Sequence, residues 1–142
     1  MSPPPLSHES TVDVAWGDCD PAGIVFYPRY FAWFDHATHR MLTAAGLDHH
    51  TLVERYGAVG LTLVDAGASF KRPATYGARL TLHSRVDRIG RSSLTVKHAI
   101  HDAGGLIVEG HETRVYAERN PEDGALRAAP IPDAVRRVLL GE

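Results

Sequence analysis

Two carboxylates, Asp18 and Asp20, stand in the run Gly17-Asp18-Cys19-Asp20-Pro21-Ala22-Gly23-Ile24-Val25-Phe26-Tyr27-Pro28, just ahead of a segment with helical periodicity. The start of a helix leaves backbone N–H groups unpaired and carries partial positive charge. A carboxylate beside such a site can attack a carbonyl carbon while the N–H groups stabilise the oxyanion that develops. Pro21 fixes its own φ and moves Asp20 out of the helical region, into the residue order of a tight turn. Gly17 and Gly23 allow the backbone to approach a ligand closely. Asp18 is suited to loop hydrogen bonding or capping. Cys19 is a poor nucleophile here, because flanking carboxylates oppose thiolate formation.

The other reactive side chains are less sharply placed. Of nine histidines, His36 and His39 are three apart on the helical segment, with Asp35 adjacent and His49-His50 following. No third ligand converges with them by spacing, so no metal site is expected. His98, His101 and His111 fall in strand-like segments and read as solvent-face or interface residues. Asp35, among Trp33, Phe34 and Ala37, faces solvent or pairs with Arg40, or it meets a distal polar group of a substrate. Lys71, Arg72, Arg88, Arg91, Lys97 and Arg127 read as solvated edge and turn charges. Arg91-Ser92-Ser93, in a turn after Gly90, offers a charge, hydroxyls and exposed N–H groups to a phosphate. The chain has no Walker sequence, no Gly-x-Gly-x-x-Gly after a strand and no Gly-x-Ser-x-Gly elbow, which argues against nucleotide hydrolysis, dinucleotide redox chemistry and serine hydrolysis.

The elements that must hold these groups follow from periodicity. Residues 11–16 alternate, with Val12, Val14 and Trp16 on one side, and predict a first strand. From Pro28, Tyr30, Phe34, Ala37, Met41 and Ala45 recur at helical steps, and Gly46 supplies the stop. Pro28 suits the first turn, where its missing N–H costs nothing. A short helix over 48–56 ends at Gly57, after which the period changes to that of strands over 59–70, 78–89, 93–102 and 106–118. Gly90 and Gly104-Gly105 mark hairpins. A polar loop over 120–130 precedes a terminal helix over 132–140. Consecutive strands with no intervening helices predict an α+β fold: a curved five-stranded antiparallel sheet wrapped around one long helix.

At 142 residues the chain is expected to be one domain over 11–142, with a flexible proline-containing lead-in over 1–10. A net charge of −2 disfavours nucleic acid as a partner. The single cysteine fits a reducing compartment, and with neither an apolar leader nor a spanning run the expectation is a cytoplasmic protein without membrane contact.

The run from Gly17 to Tyr30 closely resembles the signature of the 4-hydroxybenzoyl-CoA thioesterase family of hotdog-fold proteins. The resemblance continues through Ala68-Ser69-Phe70-Lys71-Arg72-Pro73-Ala74, Gly90-Arg91-Ser92-Ser93-Leu94 and Leu126-Arg127-Ala128. It implies a hotdog fold and hydrolysis of an acyl-CoA, most simply an aryl-CoA such as 4-hydroxybenzoyl-CoA, with no cofactor beyond the CoA of the substrate. A short-chain acyl-CoA thioesterase and a non-catalytic CoA- or acyl-binding module are the alternatives. Asp20, immediately before Pro-Ala-Gly, takes the place of the family's catalytic carboxylate, acting as nucleophile or general base. Tyr27 takes the place of the residue whose backbone N–H polarises the thioester carbonyl. Asp35 corresponds to an aspartate near the aromatic hydroxyl. Arg91, Ser92, Ser93 and Arg127 correspond to residues that contact CoA phosphates, Ser92 replacing a lysine of the hydroxybenzoyl enzymes and Phe26 a tryptophan. The family also implies a homotetramer, a dimer of dimers, in which Asp35 and Arg127 serve a site whose Asp20 lies on a neighbouring chain.

Overall fold

The computed structural model describes residues 2–142. In chain order the elements are β1 (Ser7–Asp13), α1 (Pro28–Ala44), α2 (His49–Tyr56), β2 (Gly60–Phe70), β3 (Arg79–Ile89), β4 (Ser93–Asp102), β5 (Gly105–Arg119), β6 (Leu126–Ala128) and α3 (Asp133–Leu139). The strands form one antiparallel sheet of order β1-β3-β4-β5-β2, with short β6 added beside β5. Register shifts at Leu63/Asp65, Val86/Arg88 and Ile100/His101 interrupt the ladders. Such bulges bend strands and increase twist, which lets the sheet curl around α1. This is the hotdog architecture.

Helix α1 starts with Pro28 at its first position and runs 17 residues before Gly46, whose φ of 81° ends it. Asp48 caps α2 by accepting the Thr51 N–H at 3.3 Å, and Gly57 closes it with φ 72°.

The first strand is displaced from its sequence-based position. It covers Ser7–Asp13, four residues into the segment expected to be flexible, and stops before Val14. Ser-His-Glu-Ser carries no apolar alternation; pairing of Ser7–Ser10 with Ser84, Arg85 and their neighbours on β3 decides its conformation. Residues Trp16–Asp18 form a single 3-10 turn instead of continuing the strand. The polar loop over 120–130 likewise contains β6, where Ala117, Glu118 and Arg119 recruit Ala128, Arg127 and Leu126.

Two apolar clusters fill the space between α1 and the sheet. Near the Asp20 loop, Tyr30, Trp33 and Phe34 pack with Val14, Val25, Leu80, Leu82, Ile100 and Val108. At the far end, Met41 and Leu42 pack with Leu52, Val86, Leu94, Val96, Tyr116 and Leu139. Between them Ser84 on β3, His98 on β4 and Thr38 on α1 are all buried, so a polar layer crosses the core. No described helix is long and apolar enough to cross a membrane.

Candidate functional site

The Asp20 loop is a small hairpin of its own. Cys19 bridges Val25, the Asp20 N–H donates to the Ile24 carbonyl at 2.9 Å, and the Phe26 N–H donates to the Asp18 carbonyl at 2.9 Å. Gly23, at φ 80°, makes the turn between the two arms. The hairpin docks on the β2–β3 connection through the Val25 N–H to Ala74 carbonyl bond at 2.9 Å. Asp20 closes a turn across Pro21: its Oδ1 accepts the Ala22 N–H at 2.9 Å, and no described group donates to Oδ2. The carboxylate is therefore fixed through one oxygen and available through the other.

Asp18 does the supporting work expected of it. Its Oδ2 accepts the Ala15 N–H at 2.9 Å, and its Oδ1 lies 3.9 Å from Arg29 Nε. Cys19 Sγ donates to the Ala15 carbonyl at 3.7 Å.

Tyr27 occupies the cap position of α1. Pro28 has no N–H, and Arg29 and Tyr30 donate to the Phe26 and Tyr27 carbonyls at 2.9 and 3.2 Å. The Tyr27 N–H has no acceptor among the described residues, so a polarised donor stands at the positive end of the longest helix. The hairpin thus brings Asp20 and Tyr27 into one short segment, an anionic oxygen and an unpaired N–H of the kinds that carbonyl chemistry uses.

The residues expected at phosphates lie elsewhere. Arg91, Ser92 and Ser93 form the β3–β4 turn, where the Gly90 N–H donates to the Ser93 carbonyl at 2.7 Å. The 127–131 segment runs beside this turn, with the Ile131 N–H donating to the Arg91 carbonyl at 2.9 Å, and β5 flanks it through the Tyr116 N–H to Ser92 carbonyl bond at 2.7 Å. Arg127 is exposed and holds Glu118 at 3.0 Å. The fold thus gathers Arg91, Ser92, Ser93 and Arg127 at one end of the sheet. Asp20 sits at the other end, by the start of β3, and the strand between spans roughly 33 Å at ~3.3 Å per residue.

Asp35 does not pair with Arg40, which instead lies 3.4 Å from the Thr11 carbonyl. Its Oδ1 accepts from Arg114 Nη2 at 2.6 Å, with His39 Nε2 at 3.5 Å from the same oxygen. Arg114 is 3% exposed and also donates to Glu112 Oε2 at 2.8 Å and the Leu61 carbonyl at 3.0 Å.

His98 is not a solvent-face residue. Its parity on β4 matches Leu94, Val96 and Ile100, and it is buried with its ring stacked on Phe34 at 4.8 Å. Ser84 Oγ lies 2.8 Å from Nδ1, while Nε2 meets Glu112 Oε1 at 3.1 Å and Thr38 Oγ1 at 3.2 Å. Glu112 when ionised only accepts, which places a proton on His98 Nε2. Burial pushes the Glu112 carboxyl up, but hydrogen bonds from His98, Arg114 and Thr38 and the Arg114 charge outweigh it and bring it down to about 2. Burial likewise lowers Arg114, and Glu112 and Asp35 more than reverse that. The signal for this cluster was present in β5: Glu112 and Arg114 stand at the same parity as buried Val108, Gly110 and Tyr116. A charged pair at core parity marks a buried network.

The chain matches the profile of the thioesterase-like superfamily over residues 14–139. It is 36% identical over 126 residues to 4-hydroxybenzoyl-CoA thioesterase of Pseudomonas sp. (strain CBS-3), covering 84% of this chain and 87% of that one. It is 27% identical over 135 residues to 1,4-dihydroxy-2-naphthoyl-CoA hydrolase of Synechococcus sp. (strain WH7803), covering 91% and 86%. Among solved structures, the Pseudomonas 4-hydroxybenzoyl CoA thioesterase superposes with a TM-score of 0.85 at 32% identity, covering 94% of this chain and 99% of that one. A gentisyl-coenzyme A thioesterase superposes with a TM-score of 0.78 at 31% identity, covering 93% and 98%. The sheet wrapped on α1 and the matched sequence agree, and the chain belongs to the thioesterase-like superfamily of hotdog proteins.

Proposed function

We propose that this protein hydrolyses a hydroxyaryl-CoA thioester to the free acid and CoA, with Asp20 as the reacting carboxylate. The observation that carries the reading is the hairpin over 18–27, which leaves Asp20 Oδ2 and the Tyr27 N–H without protein partners at one helix start. The Tyr27 N–H stabilises the negative charge that builds on the carbonyl oxygen. Asp20 then acts by one of two routes. As nucleophile it adds to the carbonyl carbon and the CoA thiolate leaves, giving an anhydride that water opens. As general base it takes a proton from the water that attacks. Single turnover in heavy-oxygen water separates the routes, since anhydride opening at Asp20 puts label in its carboxylate.

A hydroxylated aromatic acyl group is supported by the relatives, whose names specify 4-hydroxybenzoyl, 1,4-dihydroxy-2-naphthoyl and gentisyl thioesters. Asp35 supplies an acceptor for such a hydroxyl, and Arg91, Ser92, Ser93 and Arg127 receive the CoA phosphates. One chain holds the phosphate-facing residues Arg91, Ser92, Ser93 and Arg127 and Asp20 at opposite ends of β3, so we read the site as shared between copies in a homotetramer. Edge strand β2 supports a first contact, with Leu63 and Val64 51% and 60% exposed beside its unpaired backbone. We place the enzyme in the cytoplasm and assign it no cofactor.

The test is release of free thiol from a panel of aryl- and alkyl-CoA thioesters by the intact protein and its Asp20→Asn variant. The expected result is turnover of hydroxyaryl-CoA and a fall of about 10³-fold or more in the variant, with an unchanged melting temperature. Full activity in Asp20→Asn moves the chemistry to another residue, and binding of CoA thioesters without any turnover makes the protein a binding module.

A further inference from the structure

The polar layer that divides the core is not used by the thioester chemistry, yet it leads to a residue at the proposed acyl subsite. Ser84, Thr38, His98, Glu112 and Arg114 are each 3% exposed or less. Charges enclosed this deeply are tolerated only when their lone pairs and protons are matched. Here they are matched in a chain that runs outward. Ser84 meets His98 at 2.8 Å, His98 meets Glu112 at 3.1 Å, Glu112 meets Arg114 at 2.8 Å, and Arg114 meets Asp35 at 2.6 Å.

The guanidinium cannot swing. Nη2 is held by Glu112 Oε2, Nη1 by the Leu61 carbonyl at 3.0 Å, and Nε lies 3.4 Å from Glu112 Oε1. Arg114 therefore offers its donor to Asp35 in one direction only, as a rigid fork does and a lysine ammonium does not. Asp35 is the exposed end of the chain, with 49% of its side chain accessible, and no described group donates to its Oδ2. Exposed His39, 3.5 Å away on Oδ1, stands outside the buried layer.

We propose that Arg114 is the positioning residue of the acyl subsite: locked by Glu112, it aims Asp35 Oδ2 at a hydroxyl donor on the acyl group and sets a preference for hydroxylated rings. This rests on the reading of the chain as a hydroxyaryl-CoA thioesterase with Asp35 at the ring. Arg114 touches no substrate and acts only through Asp35, so its effect belongs to selectivity and is confined to substrates that carry the donor.

The experiment is a double-mutant cycle on the assembled protein, Arg114→Lys and Asp35→Asn, reading kcat/KM for 4-hydroxybenzoyl-CoA divided by that for benzoyl-CoA. Melting temperature and native mass confirm that each variant is folded. The expected result is a fall of about tenfold in this ratio for either variant and no further fall in the double variant. If Arg114→Lys does not fold, Glu112→Gln keeps the arginine but loosens it, and the ratio is expected to drop several-fold. An unchanged ratio in a folded variant overturns the proposal, as do two effects that multiply. A parent protein that hydrolyses CoA thioesters with no preference for the hydroxylated ring overturns the role of Arg114 alone. A parent protein with no turnover on any thioester overturns both readings.

Discussion

In the hairpin over 18–27 the side chains that could do chemistry keep spare capacity, whereas in the layer of Thr38, Ser84, His98, Glu112 and Arg114 every polar side-chain atom is matched. Asp20 uses one oxygen on its own turn and leaves the other open. Glu112 by contrast takes bonds from Thr38, His98 and Arg114. The one buried side-chain atom without a partner among the described residues, His101 Nδ1, is not in the layer. Both regions are polar, so polarity does not separate function from support. They differ in unspent hydrogen-bonding capacity: the Asp20 loop keeps it at a solvent-reached position, while the layer spends all of its own and ends at Asp35 on the surface.

The strongest test of that contrast is to remove a member of the layer. Glu112→Leu leaves the Arg114 guanidinium buried with only Asp35 as counter-charge, and the expected cost is about 3 kcal/mol or more in denaturant unfolding. The same carboxylate makes stability depend on acid. Its folded-state pKa is depressed from 4.5 to about 2, so its contribution is full above 4.5 and is lost as pH falls toward 2. The parent protein should therefore lose stability across that window more steeply than Glu112→Leu. A variant as stable as the parent at neutral pH, with the same acid profile, would erase the distinction between the two regions.

The two regions also differ in how far the sequence displays them. The hairpin is local: Asp20, Pro21, Gly23 and Tyr27 fall within eight positions, so turn chemistry and the Pro28 helix start reveal it directly. The long helix and the four consecutive strands are equally visible, because their periods change at Gly46, Gly57, Gly90 and Gly104-Gly105. The layer joins Thr38 to Glu112 and Asp35 to Arg114 across 74 and 79 positions, and no local pattern reports such pairs. A histidine in a strand suggests a solvent-face or interface position, yet the parity of His98 on β4 is that of buried Val96 and Ile100. Strand β1 departs from its expected position for the opposite reason: Ser7–Ser10 lack an apolar period, and only the partner strand β3 shapes them.

A smaller perturbation reaches the layer through packing alone. Phe34 is fully buried and lies parallel to His98 at an interplanar angle of 7°. A Cβ added at Gly110 would collide with Cε2 and Cζ of Phe34, a ring with no room to retreat. Gly110→Ala should cost about 2 kcal/mol by overpacking. Gly17, in the loop, has nothing within 4 Å of an added Cβ, and its φ is not positive. Gly17→Ala should fall within about 0.5 kcal/mol of the parent. Equal costs at the two glycines would show that the layer is no more tightly packed than the loop.

The finest test lies inside the hairpin, between its two carboxylates. Asp18→Ala removes the acceptor of the Ala15 N–H and the 3.9 Å approach to the half-exposed Arg29 side chain. The Phe26 N–H still donates to the Asp18 backbone carbonyl, which any residue supplies, and the Asp20 to Ile24 bond is untouched. The hairpin should therefore survive with a loss of about 1 kcal/mol, and thiol release should fall only a few-fold. Asp20→Asn is nearly isosteric and retains the Ala22 acceptor, so it should leave stability alone while removing turnover. A loss of turnover in Asp18→Ala as deep as that in Asp20→Asn would mean that the loop acts as one unit. A shallow loss in Asp18→Ala beside a deep one in Asp20→Asn would assign the chemistry to the carboxylate oxygen that the fold leaves open.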